Sequence, residues 1–139
     1  MPDPLRDAID RWLADPESDV VYAEEVEGRW AVRMRQGVRD ATTVWWEPGD
    51  YTIAAEAYVL PAPPEPVPAA HQLVLARNHS TWRAAFAVDR EGAFVIRGRV
   101  PADSSFEDLD GLLGEIYSLV ESTFRPLVAL VFGRREKTP

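Results

Sequence analysis

The stretch Arg29-Trp30-Ala31-Val32-Arg33-Met34-Arg35 alternates apolar and basic side chains with a period of two. Successive side chains of a strand point to opposite faces, so Trp30, Val32 and Met34 lie on one face and Arg29, Arg33 and Arg35 on the other. A strand that is apolar on one side and charged on the other belongs to an antiparallel sheet covered on one face only. Upstream, Glu27-Gly28 reads as a hairpin turn joining this strand to the β-rich segment from Val20 to Val26. Downstream, Thr42-Thr43-Val44-Trp45-Trp46-Glu47, the turn Pro48-Gly49-Asp50 and the run from Tyr51 to Leu60 read as a second hairpin. A third joins Ala84 to Val88 with Ala93 to Val100 through Asp89-Arg90-Glu91-Gly92; Phe94, Ile96 and Val100 share one face, and Arg97 and Arg99 the other.

Helical periodicity fills the gaps. Leu5, Ala8, Ile9, Trp12 and Leu13 form one stripe, with Asp3 placed to cap, Pro4 at the first helical position and Asp15-Pro16 closing the segment. The segment from Pro61 to Pro68 is proline-dense and reads as an extended crossover, with a PxxP ligand as the other reading. Ala69 to Asn78 follows as a short helix with Ala70, Leu73, Val74 and Arg77 on one side. Ser104 or Ser105 caps the longest helix, whose stripe runs through Phe106, Leu109, Leu112, Leu113, Ile116, Tyr117, Val120 and Phe124. Pro126 is expected to interrupt it, leaving Leu127 to Phe132 as a last helical turn, a short strand or a partner contact. The resulting order, α-β-β-β-(β)-α-β-β-α, predicts an α+β fold: a twisted antiparallel sheet with helices packed on it, one domain over residues 1–133 and a disordered tail over 134–139.

Composition narrows the chemistry. The 139 residues carry 15 Lys+Arg against 23 Asp+Glu, a formal charge of -8, which argues against nucleic-acid and membrane partners while leaving room for a local basic patch. There is no cysteine, which removes disulfides, thiolate metal sites and thiol nucleophiles. The opening MPDPLRDAIDRW has no basic stretch leading into an apolar run, and the longest apolar run, Pro126 to Phe132, is too short to span a bilayer, so a cytoplasmic location is expected. His71 and His79 are not at metal-pair spacing, and there is no nucleophile elbow or phosphate-binding glycine loop. The densest carboxylates, Glu24-Glu25-Glu27, Glu47-Asp50 and Asp108-Asp110, do not present ready pairs. No catalytic, cofactor-binding or metal-binding residue is assigned, and the chain reads as a non-enzymatic domain.

Two groups of side chains remain as candidate sites. In Trp45-Trp46 one indole must face each side of the sheet, so one lies in the core and the other on the wet face or in an interface. With Tyr58, Trp82, Leu127, Leu130 and Phe132 these tryptophans form the candidate partner or dimer interface. Arg33, Arg35, Arg97 and Arg99 form a candidate anion site, which carries the alternative reading of a domain that binds, or acts on, small anionic ligands.

Thr43-Val44-Trp45-Trp46 with Tyr51-Thr52-Ile53, Ala57-Tyr58-Val59-Leu60-Pro61, Arg77-Asn78-His79, Ala85-Phe86-Ala87-Val88 and Val95-Ile96-Arg97-Gly98-Arg99-Val100-Pro101 resemble, in order and spacing, the actinobacterial branch of the YbjN family. The resemblance runs from about residue 5 to 132. It implies the fold of type III secretion chaperones and a homodimer. It also implies a sensory-transduction or stress-linked regulatory role, with no established enzyme activity, no agreed ligand and no functional residue to carry over. The surplus apolar and aromatic side chains of the candidate interface give the leading reading, a dimeric, non-enzymatic protein-binding module, chaperone-like or regulatory, with an unidentified protein partner and no cofactor. Fold alone does not transfer secretion-chaperone function.

Overall fold

The computed structural model describes residues 2–133; the expected tail at 134–139 lies outside the described residues. In chain order the elements are α1 (Pro4–Ala14), β1 (Val20–Val26), β2 (Arg29–Arg35), β3 (Ala41–Pro48), β4 (Thr52–Leu60), α2 (Pro68–Arg77), β5 (Ala84–Val88), β6 (Phe94–Pro101) and α3 (Phe106–Val131), with a 3-10 turn at Asn78–Ser80. The strands form a 6-stranded sheet in the order β1-β2-β3-β4-β6-β5, every pair antiparallel. Thus β6 is inserted between β4 and β5, and the proline-rich segment with α2 carries the chain over it.

Local chemistry explains these boundaries. Asp3 caps α1, its carboxylate accepting from the Arg6 amide at 3.1 Å with Pro4 at the first position. The β1–β2 turn places Glu27 at φ 52 and Gly28 at φ 84, the pair of left-handed residues whose twist matches the flanking strands. Of the two serines expected to cap α3, Ser105 does so, accepting from the Asp108 amide at 3.3 Å.

The helices cover one sheet face. Val32, Met34, Val44, Trp46, Ile53, Ala57, Phe94 and Ile96 point inward and meet Leu5, Ile9 and Trp12 of α1 and Leu109, Leu112, Ile116 and Leu119 of α3, all buried. Helix α3 approaches β6 at Gly98, where a Cβ would stand 2.5 Å from Leu112 Cδ1 and 2.6 Å from the Arg83 carbonyl. Leu13 departs from expectation and is 44% exposed. It sits about 90° around the helix from the centre of the Leu5–Ala8–Ile9–Trp12 stripe, which those four already fill.

Helix α3 does not stop at Pro126 but continues to Val131, a single helix of 26 residues. Proline removes the hydrogen bond to the carbonyl four residues back, that of Ser122. That carbonyl accepts instead from Arg77 Nη2 of α2 at 3.4 Å, and the final turns are held by burial of Leu127 and Val131. Of the readings of Leu127 to Phe132, the helical one therefore holds as far as Val131, and a strand is excluded.

A carboxylate fastens the β2–β3 loop to α3. Glu121 Oε1 accepts from Gln36 Nε2 at 2.6 Å, the Gly37 amide at 2.6 Å and the Val38 amide at 3.2 Å. Burial opposes its charge, but these donors and Arg125 outweigh burial and hold its pKa below the ordinary carboxylate value. Next to it Arg39, whose pKa burial lowers, donates to the carbonyls of Val59 and Tyr58, each at 2.9 Å, and lies over the Phe124 ring.

Candidate functional site: the open face of the sheet

With the helices on one side, the alternate residues of every strand line an uncovered face. The register orders them in rows across the sheet: Tyr22, Arg33, Thr43, Tyr58, Val95 and Ala87; then Glu24, Ala31, Trp45, Glu56, Arg97 and Ala85; then Val26, Arg29, Glu47, Ala54 and Arg99. Tyr22 and Tyr58 are 52% and 53% exposed, and Trp45 is half-buried with the Arg29 guanidinium 4.7 Å over its ring. Arg97 pairs with Glu56 at 3.5 Å, both well exposed. A depression of about 350 Å³ lies between Trp45 and the Arg97–Arg99 strand; Ala54, Ala85 and Ala87 line it, with Arg29, Glu47 and Glu56 around it. Small side chains leave this hollow because nothing packs there from outside.

The structure divides the two expected sites. Of the interface candidates, Trp46 and Leu127 are fully buried, each 0% exposed, and have no surface for a partner. Trp46 is the inward member of the Trp45-Trp46 pair, its ring centroid 5.7 Å from that of Trp12. Leu127 faces the core because α3 continues past Pro126. Leu130 and Phe132 pack partly buried against the same core. Trp45 and Tyr58 remain on the open face. Trp82, 81% exposed, lies apart in the loop before β5, with Arg83 at 4.3 Å from its ring.

The four arginines do share the open face, but not one site. Strands β2 and β6 are separated by β3 and β4, so Arg33 and Arg35 stand about 14 Å or more from Arg97 and Arg99. Arg35 is also engaged, Nη2 donating to the Ser18 carbonyl at 3.1 Å, and Arg97 is paired. A single small anion cannot be gripped by all four; Arg29, not assigned from the sequence, is the β2 arginine beside the depression. Tyr22, Glu47 and Glu56 were also missed, although the alternation within their strands was the signal that placed them outward.

At β5 the Asn78 side chain takes both backbone groups of Phe86, Oδ1 accepting from its amide at 2.6 Å and Nδ2 donating to its carbonyl at 3.3 Å. Glu115 accepts from the Ala84 amide at 2.9 Å and Thr81 Oγ1 donates to the Ala84 carbonyl at 2.6 Å, so this edge is closed by side chains. Among the described residues no group of three His, Asp or Glu is placed to hold a metal, and no helix is long and apolar enough to cross a membrane.

The YbjN family model, described as "Putative bacterial sensory transduction regulator", matches residues 5–128. The chain belongs to the YbjN family. Its mycobacterial relatives include the uncharacterized proteins ML2442 of Mycobacterium leprae, 28% identical over 85 residues, and Mb0497 of Mycobacterium bovis, 26% identical over 85 residues. Each match covers 60% of this chain and 46% of the relative, so the matched segment spans less than half of those proteins. Among solved structures, the crystal structure of YbjN from E. coli, described as a putative transcription regulator, superposes with TM-score 0.57 at 17% identity, covering 88% of this chain and 89% of that one. A chain of the HopA1-SchA chaperone–effector complex gives TM-score 0.57 at 12% identity, covering 87% and 93%. A chain of the ExoU-SpcU complex from the type III secretion system of Pseudomonas aeruginosa gives 0.54 at 15%, covering 90% and 98%. At these identities the likeness is one of fold, and the YbjN sheet with its single covered face is the chaperone-like fold expected from the sequence.

Proposed function

We propose that this YbjN-family chain is a non-enzymatic protein-binding module, chaperone-like or regulatory in role, that works as a homodimer in the cytoplasm and engages a protein partner through the open face of its sheet. The observation that carries this reading is that a six-stranded sheet has helices on one side only, while its other side presents Tyr22, Trp45 and Tyr58 among charged residues. Aromatic and arginine side chains on an uncovered surface are the composition of protein interfaces. A chaperone–effector complex and a heterodimeric type III secretion complex among the fold's neighbours support the same direction. The wide separation of Arg33 and Arg35 from Arg97 and Arg99 counts against the alternative, a pocket for one small anion.

A photo-crosslinking residue at position 45 or 58, compared with one at Leu75, 67% exposed on α2, tests the surface in the native host. Discrete adducts from positions 45 and 58 but not 75 are expected; adducts only from 75 contradict the reading. Light scattering of the purified protein tests the dimer, with twice the 15.6 kDa chain mass expected.

A further inference from the structure

We infer that the occupant of the open face is an extended acidic protein segment of about six residues, with carboxylates near both ends and an apolar side chain between them. The inference deepens the protein-binding reading above and rests on it. Its basis is an asymmetry of charge. Arg29, Arg33, Arg35, Arg97 and Arg99 face outward on this sheet against Glu24, Glu47 and Glu56, leaving the face at +2. The whole chain is at -8, so everything else in it, ten basic and twenty acidic residues, stands at -10. The face is a basic surface on an acidic protein, and it steers toward negative partners.

The same arithmetic disfavours a second copy as occupant. Two copies meeting by this face would place +2 against +2. One copy presenting its acidic helical side to the face of the next would form a contact that does not close. A nucleic acid fits less well than a peptide, because a phosphate track running between the arginines would pass Glu56, already paired with Arg97, and Glu47, between Arg29 and Arg99 in their row.

Geometry supplies the length. Among the described residues Arg29, Arg33, Arg35 and Arg99 have no ion-pair partner; Arg29 lies over Trp45 and Arg35 donates to the Ser18 carbonyl, which leaves Arg33 on β2 and Arg99 on β6, diagonally across the four inner strands. Three strand spacings and four residues along a strand put them about 20 Å apart, the span of about six residues of extended chain. The line between them passes Trp45 and Glu56 at the alanine-lined depression of about 350 Å³, so the middle of the segment lies beside a carboxylate and over a hollow with room for an apolar side chain, while its own carboxylates are confined to the ends. The arginines thus read the ends, and Trp45 with Ala54 reads the middle.

The test is a titration of the ¹⁵N-labelled chain, followed by amide chemical shifts, with the blocked peptide EELFAEE, its charge-reversed form KKLFAKK, and the oligonucleotide (dT)6. The expected result is that EELFAEE shifts Arg33, Trp45, Ala54 and Arg99, that added salt weakens it, and that KKLFAKK and (dT)6 bind more weakly. Arg33→Glu and Arg99→Glu should each weaken EELFAEE about fivefold, the scale of an exposed ion pair replaced by repulsion. Trp45→Ala should weaken it while the melting temperature shows the fold intact. Tighter binding of KKLFAKK to the same face overturns the acidic inference and leaves protein binding standing. Tighter binding of (dT)6 replaces the peptide by a nucleic acid. Absence of any EELFAEE effect, or shifts confined to the helices, overturns the inference; if KKLFAKK also shifts only the helices, the open-face reading falls with it.

Discussion

Trp12 and Trp46 pack against each other, tilted, in the same core but differ in one atom's surroundings, and that difference sets different expectations for the same substitution. The Trp12 indole N–H donates to Asp110 Oδ1 at 2.9 Å, whereas Trp46 Nε1 is buried with no hydrogen-bond partner. Replacing either by Phe removes roughly 40 Å³, which at about 24 cal/mol per Å³ of residual cavity costs about 1 kcal/mol. At Trp12 the lost bond to a carboxylate adds about 1–2 kcal/mol, moderated because Asp110 is solvent-exposed, so Trp12→Phe should destabilise by about 2–3 kcal/mol. At Trp46 the substitution removes an unpaired buried donor, whose desolvation costs about 1–3 kcal/mol, so Trp46→Phe should fall between neutral and about 2 kcal/mol stabilising. Urea unfolding followed by far-UV ellipticity reads both. With an m-value of about 2 kcal/mol/M, the two midpoints should differ by at least about 1 M, Trp46→Phe being the more stable. Equal midpoints, or a lower midpoint for Trp46→Phe, would refute the reasoning, because they require that the Trp46 N–H is satisfied in the folded state.

Other substitutions test the remaining features. Asn78→Ala should destabilise by about 2 kcal/mol through loss of its two bonds to Phe86, and should speed hydrogen exchange of the Phe86 amide; unchanged exchange would contradict the closed edge. Gly114, inside α3 with nothing within 4 Å of an added Cβ, should accept alanine with a gain of about 1 kcal/mol, while Gly98→Ala, which would meet Leu112 and the Arg83 carbonyl, should destabilise. Glu121 has a folded pKa below its unfolded value of 4.5, so its contribution is present above that pH and is lost as the pH falls through the folded value. Stability measured from pH 6 down to pH 3 should therefore decline less steeply in Glu121→Gln than in the parent.

What the sequence disclosed depended on how local the physics was. Alternation in Arg29 to Arg35 and the Glu27-Gly28 turn depend on neighbours alone, and both strands and turn stand where that pattern put them. Trp45-Trp46 announced one inward and one outward indole, but which was which depended on the register of β3 against β2 and β4. Pro126 misled for a tertiary reason: Arg77, 49 residues earlier, answers the carbonyl that proline leaves free. The arginines were correctly read as facing outward, yet their separation was invisible until the strand order placed β3 and β4 between them. The Asn78 clasp on Phe86 likewise joins a turn to a strand through side-chain atoms, and no periodicity records it.

The claim that the open face is the working surface is tested most directly by hydroxyl-radical footprinting, comparing dilute purified protein with the same protein in its native lysate. Tyr22, Tyr58 and Trp45 report on the face, while Tyr51 and Trp82, 88% and 81% exposed outside it, serve as internal references. Protection of the face aromatics in the lysate with the references unchanged is the predicted result. Protection of Tyr51 and Trp82 with Tyr22, Tyr58 and Trp45 still fully reactive would contradict it.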